Sequence, residues 1–366
     1  MSYITALGTA NPSYRIDQAT ICSFMEKTMN LDSSGLRKLR AIFKASGIDY
    51  RYSVLDDYSK QNNFSFYTQH EEGIYPSTQS RLAVFRNHAL PLSVAAANNL
   101  FEQIPSFDKN EITHLIVVCC TGMYAPGLDI ELVKTLQLKL TVERTCITFM
   151  GCYAAFNAMK VAHAFCKADE HAKVLIVCTE LCSLHFQHAL SDDNLLANTL
   201  FADGSAAVLM EAKTNKTKRL SLEKFHSNLA FEGEQDMAWT IGDAGFEMKL
   251  TAYIPSIIKG GIEALTHALL QKMDKHMEDI KYFAIHPGGI KILEAIEHAL
   301  GITKEDNTPA YSVLRNFGNM SSPTVVFVLN ELFKKIKQQD NNEYILSLAF
   351  GPGLTLESMM LKIEME

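Results

Sequence analysis

Short apolar runs alternate with longer amphipathic stretches along most of the chain. The runs predict buried strands at 115–120, 145–149, 174–178, 206–210, 282–286 and 344–350. The stretches between them predict helices at 90–103, 154–166, 257–273, 288–300 and 322–337. Strands that alternate with helices are typical of a layered α/β fold.

A polar and basic segment at 213–224 interrupts this pattern. We interpret it as the crossing between two halves of the chain, which places them at 1–215 and 216–366. A length of 366 residues suits two domains or one large double-layered unit. A solvated surface loop is compatible with the same segment.

Composition narrows the classes of function. A hydrophobic content of 47% and a charged content of 20% allow a large core. The net charge of −7 argues against binding to nucleic acid or to an anionic membrane. Neither a secretory leader nor a membrane-spanning run is recognisable, so we expect a cytoplasmic protein.

Eight cysteines occur without a CxxC pair or zinc-site spacing, so we expect free thiols and no metal. Cys152 differs from the others because it follows Gly151 at the predicted start of a helix. A helix N-terminus favours thiolate over thiol, but by only about 0.3–1 kcal/mol. A free thiol has a pKa of about 8.5, so a reactive Cys152 also needs an imidazolium beside it.

Two later side chains occupy positions where α/β folds place working groups. His286 ends a predicted strand and precedes Pro-Gly-Gly, and Asn319 lies in the loop Gly-Asn-Met-Ser-Ser. Each alone is more often structural, as a strand-end histidine or a turn asparagine. Together with Cys152 they form a candidate catalytic set, with His286 as the partner of the thiol.

These motifs, in this order, resemble the type III polyketide synthases, the chalcone/stilbene synthase family of the thiolase superfamily. The resemblance covers nearly the whole chain, and its markers are Ala6-Leu7-Gly8-Thr9-Ala10-Asn11-Pro12, Gly151-Cys152, Leu200-Phe201-Ala202-Asp203-Gly204, His286-Pro287-Gly288-Gly289, Gly318-Asn319-Met320-Ser321-Ser322 and Phe350-Gly351-Pro352-Gly353-Leu354. It implies a five-layer α/β/α/β/α sandwich of two similar halves. The first half would carry Cys152 and the second His286 and Asn319. It also implies a homodimer without metal or redox cofactor, which takes acyl groups from coenzyme A thioesters.

The resemblance assigns a role to each motif. Cys152 would take the starter acyl group from an acyl-CoA. His286 and Asn319 would donate hydrogen bonds to the enolate oxygen formed when malonyl-CoA loses CO₂. Phe201 would present an apolar face to the departing carboxylate. Repeated condensation and ring closure would then give a pyrone or a phenolic ring.

Several expected cavity positions depart from the plant pattern. Cys120, Cys182 and His185 stand where chalcone synthases carry mostly hydroxyl groups, Trp239 where they carry glycine, and Met248 where they carry phenylalanine. Trp239 would either close part of the cavity or wall an acyl tunnel. The remaining predicted cavity residues are Thr121, Ala125, Ala197, Gly351, Pro352 and Gly353. Lys44 and Arg51 are candidates for binding the phosphates of coenzyme A.

Three other functions fit parts of the sequence. A ketoacyl synthase III-like enzyme would perform one extension from an acyl carrier protein, which the main interpretation neither requires nor excludes. A papain-like cysteine hydrolase also has the order Cys, His, Asn, but its signature around the cysteine is missing here. A non-catalytic scaffold would have no need of all three polar side chains.

Overall fold

The structure, a computed structural model, describes residues 1–29, 31–67, 75–251 and 254–366. Within these ranges the strands are β1 (Tyr3–Ala10), β2 (Tyr14–Asp17), β3 (Tyr50–Ser53), β4 (His114–Cys119), β5 (Glu143–Thr148), β6 (Lys173–Leu181), β7 (Asp203–Glu211), β8 (Lys218–Leu229), β9 (Met237–Gly242), β10 (Gly245–Leu250), β11 (Ile280–Ile285), β12 (Tyr344–Gly351) and β13 (Thr355–Met365). The α-helices are α1 (Gln18–Thr28), α2 (Ser33–Ala45), α3 (Thr78–Glu102), α4 (Leu128–Leu136), α5 (Ala154–Ala168), α6 (Asp192–Leu200), α7 (Ile254–Gln271), α8 (Ile290–Leu300), α9 (Thr308–Phe317) and α10 (Thr324–Lys335).

Nine strands form one mixed sheet in the order β5-β4-β6-β7-β1-β8-β13-β12-β11. The first half of the sheet contains the parallel strands β5, β4 and β6, followed by the antiparallel β7 and β1. The second half contains antiparallel β8, β13 and β12, with β11 parallel to β12. A short antiparallel pairing of β1 with β8 joins the halves, with Tyr3 opposite Ser221 and Ile4 opposite Leu220.

Helices cover the sheet on both faces and fill the space between its halves. α3 packs against β1, β6 and β7 on the outside, while α5 packs against β4, β6 and β7. α10 contacts β1, β7 and β11, and α5 also reaches β13, so this helix pair lies between the halves. α7 covers β8 and β13 and packs against α8. The predicted layered α/β class is confirmed.

The apolar runs form strands because helices cover them on both sides. Every residue of β4 is buried, and β6 is buried after its first residue, so neither strand needs a polar face. All six strands predicted from such runs are observed. The five predicted helices are observed as well, although α3 begins at Thr78 and continues through Pro91. The prediction from 90 missed its first turns.

The segment 213–224, interpreted as the crossing between two halves, contains most of the connection between β7 and β8 and the first residues of β8. β7 ends at Glu211 and β8 begins at Lys218, which leaves only a short connection between them. β8 is polar in sequence because Glu223 and Lys224 are exposed, whereas Leu220 and Leu222 are buried. Three buried residues, Leu220 to Leu222, are thus followed by two exposed charged ones, and burial along this strand does not alternate. The division into 1–215 and 216–366 stays a prediction.

No helix within the described ranges combines the length and the apolar character that crossing a bilayer requires.

Candidate active site

Cys152 lies in a sharp turn between β5 and α5. Phe149 and Gly151 both have positive φ angles, 61° and 74°. A Cβ atom on Gly151 would lie 2.5 Å from Cδ of Pro352, so the bend also needs the absence of a side chain there. A 3-10 turn at Gly151–Tyr153 precedes α5, and it holds Cys152 with 6% of its surface exposed.

The predicted loop at Gly351, Pro352 and Gly353 packs against this turn. A Cβ atom on Gly351 would lie 2.7 Å from the Tyr153 ring and 3.3 Å from the backbone nitrogen of Cys152. The end of β12 therefore approaches the nucleophile closely because Gly351 has no side chain.

Asn319 is the polar side chain in contact with the candidate nucleophile. Its Oδ1 lies 4.0 Å from Sγ of Cys152 and accepts the backbone N–H of Ser321 at 2.8 Å. Its Nδ2 donates to the carbonyl oxygen of Gly288 at 3.4 Å. The side-chain amide is thus fixed between the cysteine and the Pro-Gly-Gly turn that follows His286.

His286 follows the last residue of β11, and its backbone N–H donates to the carbonyl oxygen of Leu348 at 2.8 Å. The side chain is fully buried, and its ring meets the Phe350 ring edge-on with centroids 5.5 Å apart. Neither ring nitrogen has a hydrogen-bond partner among the described residues. Two unpartnered nitrogens in a buried ring are unusual and leave both free for a substrate.

Burial opposes charge on both groups. It raises the pKa of the Cys152 thiol to about 12, although hydrogen bonds with Ser321 and Asn319 act in the opposite direction. Burial also lowers the pKa of His286 to about 3. The expected lowering of the thiol pKa by the helix terminus is therefore not found, since desolvation outweighs it. At neutral pH Cys152 therefore rests as a thiol and His286 as a neutral imidazole.

The backbone of Phe201 lies beside the backbone of Asn319. Phe201 and Asn319 form an isolated parallel bridge, in which the N–H of Ala202 donates to the Asn319 carbonyl oxygen at 2.8 Å. The N–H of Asn319 in turn donates to the carbonyl oxygen of Leu200 at 2.9 Å. These backbone hydrogen bonds thus hold Phe201 in a fixed position relative to Asn319, the predicted hydrogen-bond donor to the enolate.

Six predicted residues surround one small cavity of about 30 Å³. They are Phe201, Cys182, His185, Ala197, Trp239 and Met248. Such a volume holds only about two or three water molecules, because one water needs about 10–15 Å³. The walls leave little room for a growing chain in this conformation.

An aromatic wall accounts for the small volume. His185 stacks on Phe246 with centroids 4.3 Å apart, and Trp239 stands nearly perpendicular to both rings. Nδ1 of His185 accepts the N–H of Phe246 at 3.0 Å, and Nε2 donates to the carbonyl oxygen of Thr121 at 2.7 Å. Burial lowers the pKa of His185 to about 3, so the ring stays neutral.

The other predicted cavity residues do not line this cavity. Gly351, Pro352 and Gly353 pack at the turn of Cys152, and the Sγ of Cys120 lies 3.4 Å from the hydroxyl of Ser321. Ala125 lines a separate surface cavity of about 380 Å³ together with Met123 and Cys146, so its assignment to the substrate cavity is corrected. Thr121 is buried, and its hydroxyl donates to a carboxylate oxygen of Glu180 at 2.7 Å. It supports the wall without facing the cavity.

The prediction that Arg51 binds coenzyme A phosphates is wrong. Arg51 is 4% exposed, and its guanidinium donates to Gln18 Oε1 and to the carbonyl oxygens of Asn198 and Phe201. The sequence indicated an accessible basic residue at position 51, because burial cannot be read from the sequence alone. Lys44 is exposed but lines a hollow that none of the catalytic candidates borders.

A larger cavity of about 380 Å³ borders the turn that follows His286, although Cys152, His286 and Asn319 do not themselves line it. Gly288 and Gly289 form part of its wall, and Gly288 is the residue whose carbonyl oxygen accepts from Asn319. Lys38 and Lys291 also line it. We call this the entrance cavity.

Glu180 is a buried carboxylate that sequence reasoning missed. It accepts the N–H groups of Cys120 and Thr121 at 2.9 and 3.1 Å and the hydroxyl of Ser322 at 2.6 Å. It therefore ties the loop after β4 to the loop that carries Asn319. The only signal was a charged residue in the sequence just after the apolar run at 174–178.

A metal site is not formed by the residues described here, since no group of three or more His, Cys, Asp or Glu side chains is suitably arranged. Independence from metal and redox cofactors stays a prediction.

Comparisons with known proteins agree with this geometry. Residues 1–214 match the N-terminal domain of chalcone and stilbene synthases, and residues 222–364 match their C-terminal domain. "Probable polyketide synthase 1" of Dictyostelium discoideum is 32% identical over 99% of this chain, which spans 11% of that protein. "Alpha-pyrone synthesis polyketide synthase-like Pks18" of Mycobacterium tuberculosis is 29% identical over 99% of this chain and 91% of its own length.

Solved structures extend the similarity to the fold. The C-terminal type III polyketide synthase domain of Steely1, a type I/III hybrid from Dictyostelium, superposes with a TM-score of 0.90 at 30% identity, covering 99% of both chains. PKS-I from the brown alga Ectocarpus siliculosus gives a TM-score of 0.90 at 29% identity, over 99% of this chain and 98% of its own. The chain therefore belongs to the chalcone and stilbene synthase family and has the fold of type III polyketide synthases.

Proposed function

We propose that this polyketide synthase loads an acyl-CoA starter on Cys152 and extends it with malonyl-CoA before ring closure. The observation that carries the proposal is the contact of Cys152 Sγ with Asn319 Oδ1 at 4.0 Å. The turn that follows His286 reaches the same asparagine, because the carbonyl oxygen of Gly288 accepts from Asn319 Nδ2, and neither buried ring nitrogen of His286 has a partner among the described residues. These contacts support a common site for a nucleophile, a base and an amide donor.

In the loading step, the thiol proton passes to the neutral imidazole of His286 while sulfur attacks the starter carbonyl. The thiol of coenzyme A leaves with a proton, and the acyl group remains on Cys152 as a thioester. Loss of CO₂ from malonyl-CoA then gives an enolate, whose oxygen accepts hydrogen bonds from the Asn319 amide and from the N–H of neutral His286. The enolate carbon bonds to the acyl carbon, the bond from that carbon to Cys152 sulfur breaks, and the lengthened chain leaves on coenzyme A while the cysteine is freed for the next loading.

Phe201 favours the loss of CO₂ because an apolar ring solvates a carboxylate poorly and CO₂ well. Its backbone bridge to Asn319 keeps the ring near the amide that stabilises the enolate. The two groups would act at opposite ends of the same malonyl unit.

The small cavity limits the product. About 30 Å³ behind Phe201 does not accommodate a long chain, whereas the entrance cavity offers about 380 Å³. We therefore expect few extensions and a compact pyrone or phenolic ring, unless the aromatic wall moves. An α-pyrone product agrees with the name of the mycobacterial relative, which refers to alpha-pyrone synthesis.

Lys38 and Lys291 replace Arg51 and Lys44 as candidates for the phosphates of coenzyme A. Both line the entrance cavity, where the nucleotide end of the substrate would remain outside. Coenzyme A thioesters and eight free cysteines support a cytoplasmic location.

A homodimer through the free edge of the sheet is part of the proposal. β5 is the terminal strand, and most of its side chains are exposed or half-buried. The adjacent cavity around Ala125 also carries exposed Met123 and Ile130, at 44% each. An uncovered strand edge with apolar neighbours favours a second copy. Light scattering of the purified protein measures the mass.

Mass spectrometry tests the activity directly. The purified protein is incubated with malonyl-CoA and a panel of starter CoAs, from acetyl to long-chain acyl and aromatic ones. Cyclised products with more than one malonyl-derived unit support the proposal. A single extension that requires an acyl carrier protein would favour the ketoacyl synthase III-like alternative, and absence of CO₂ release would contradict both.

A further inference from the structure

Helix α2 carries a concentration of positive charge on an otherwise acidic protein. Its 13 residues include the cations Arg37, Lys38, Arg40 and Lys44 and no acidic residue. All four cations are exposed, whereas the chain as a whole has a net charge of −7. The helix is thus a positively charged region on a protein whose net charge is negative.

The same helix forms part of the rim of the entrance cavity. Leu39 and Phe43 anchor α2 in the core, while Lys38, Ile42 and Ala45 line the cavity. The opposite wall of that cavity contains the Pro-Gly-Gly turn next to His286. Asp192 and Asp193 line the cavity as well, beside Lys38 and Lys291. A macromolecule seated on the outside of α2 would therefore lie at the mouth of a cavity that borders the Pro-Gly-Gly turn.

The chain neutralises only part of this charge. Lys38 forms an ion pair with Asp192, and Arg40 with Glu26 at 2.6 Å. Arg37 and Lys44 have no ion pair with any residue that the structure describes. Exposed ion pairs are weak, so the two neutralised cations also remain available to a strongly acidic partner.

The positive charge extends beyond the space that one coenzyme A nucleotide would occupy. Arg40 and Lys44 line a separate hollow on the other side of α2, together with Ser23 and Glu26. A nucleotide at the entrance cavity meets Lys38 and Lys291 instead. Cations on both sides of one exposed helix fit the broad surface of a protein better than a single nucleotide.

We propose that the cationic face of α2 docks an acidic acyl carrier protein, which delivers the starter acyl group to Cys152 through the entrance cavity. This inference rests on the proposed function. The phosphopantetheine arm of a carrier is chemically the same as that of coenzyme A, so the loading chemistry is unchanged. Cys152 sulfur bonds to the acyl carbon, the carbon–sulfur bond to the arm breaks, and the arm leaves as a thiol with the proton held by His286.

Electrostatic attraction would act mainly on the rate of encounter. Complementary charge raises association rates by about 10- to 10³-fold at low salt. Screening over a Debye length of about 8 Å at physiological ionic strength reduces this gain. Loading from a carrier should therefore depend on salt more steeply than loading from an uncharged acyl-pantetheine.

The test compares three donors of one starter, the one that the CoA panel identifies. They are the acyl-CoA, the acyl-pantetheine and the same acyl group on a bacterial fatty-acid-synthase carrier protein. Acylation of Cys152 is followed by intact-protein mass spectrometry. The double variant Arg37→Glu/Lys44→Glu should lose about tenfold or more in kcat/KM for the carrier and less than about twofold for acyl-CoA.

A matched control reverses two exposed cations elsewhere, Lys224→Glu/Lys334→Glu, with the same change in net charge. Equal losses for carrier and acyl-CoA in the α2 variant would assign the cations to the nucleotide and overturn the proposal. A carrier no better than acyl-pantetheine in the unaltered protein would overturn it too. Normal product formation from acyl-CoA in these samples keeps the proposed function separate from this result.

Discussion

The indole N–H of Trp239 donates to the carbonyl oxygen of Cys120 at 2.8 Å. This bond ties the hairpin of β9 and β10 to the loop after β4, and edge contacts with His185 and Phe246 hold the indole from the side. An indole that is held by one hydrogen bond and two ring contacts has little freedom to rotate. Trp239 therefore acts as a fixed wall that limits the cavity.

Replacing Trp239 should enlarge the product. Trp239→Gly removes the wall, and we expect products with at least one additional malonyl-derived unit or acceptance of longer starters, measured by mass spectrometry. Trp239→Phe is the matched control, because it keeps an aromatic ring in the wall while it removes the hydrogen bond to Cys120, which costs about 1–3 kcal/mol in stability when the carbonyl oxygen is left unpaired. An unchanged product range in folded Trp239→Gly would contradict the role of the wall.

Removing the nucleophile should separate condensation from decarboxylation. In Cys152→Ala we expect product formation to fall by more than about 10⁴-fold, because no acyl-enzyme can form. Release of CO₂ from malonyl-CoA should remain measurable, since His286 and Asn319 still face the substrate. Cys182→Ala removes another buried thiol, one that lines the small cavity, and controls for the loss of a cysteine. Normal polyketide output from Cys152→Ala would refute the assignment.

Asn319 should matter more for the enolate than for loading. Asn319→Ala removes an oxyanion donor, which typically costs about 10²–10³ in rate, so we expect decarboxylation to fall by that factor. Acylation of Cys152 should fall by less than about tenfold, because His286 remains to take the thiol proton. Asn316→Ala is the control in the preceding helix turn. Equal losses in both steps would argue that Asn319 only positions the cysteine.

Buried neutral histidines should make the protein sensitive to acid. Burial lowers the pKa of His185 from 6.5 to about 3, so below pH 6.5 the unfolded state binds a proton that the folded state does not. The free energy of unfolding therefore falls as the pH drops, by about 1.4 kcal/mol per pH unit for each such histidine.

Denaturant titrations at several pH values between 6.5 and 4 measure this slope. His185→Gln should reduce it by about 1.4 kcal/mol per pH unit, and His171→Gln at an exposed position is the matched control. An identical slope in His185→Gln and in the unaltered protein would mean that His185 titrates normally in the folded state.

The sequence pattern revealed strands that are continuous apolar runs and missed β8, whose run is interrupted by charged residues. The run at 115–120 predicted β4, because all of its residues are apolar or small. β8 and β13 form the longest pairing in the sheet, yet the charged residues of β8 made it look like a loop. A run interrupted by charged residues is a weaker signal than a continuous apolar run.

The candidate site followed a similar rule. Cys152 and Asn319 stood out because each directly follows a glycine, and His286 because it ends a predicted strand before Pro-Gly-Gly. The role of Glu180 depends on hydrogen bonds to residues far away in sequence, which local patterns do not encode. The burial of Arg51 and the raised pKa of Cys152 have the same origin, since desolvation is a property of the assembled fold.

The pairing of β1 with β8 has a consequence for how the enzyme works. The hydrogen-bonded sheet is continuous from β5 to β11. No hinge therefore separates the half that holds Cys152 from the half that holds Asn319. Opening by rigid-body rotation of two lobes is not available to this architecture. Substrate must then come and go through displacement of individual side chains and loops around a stationary catalytic frame.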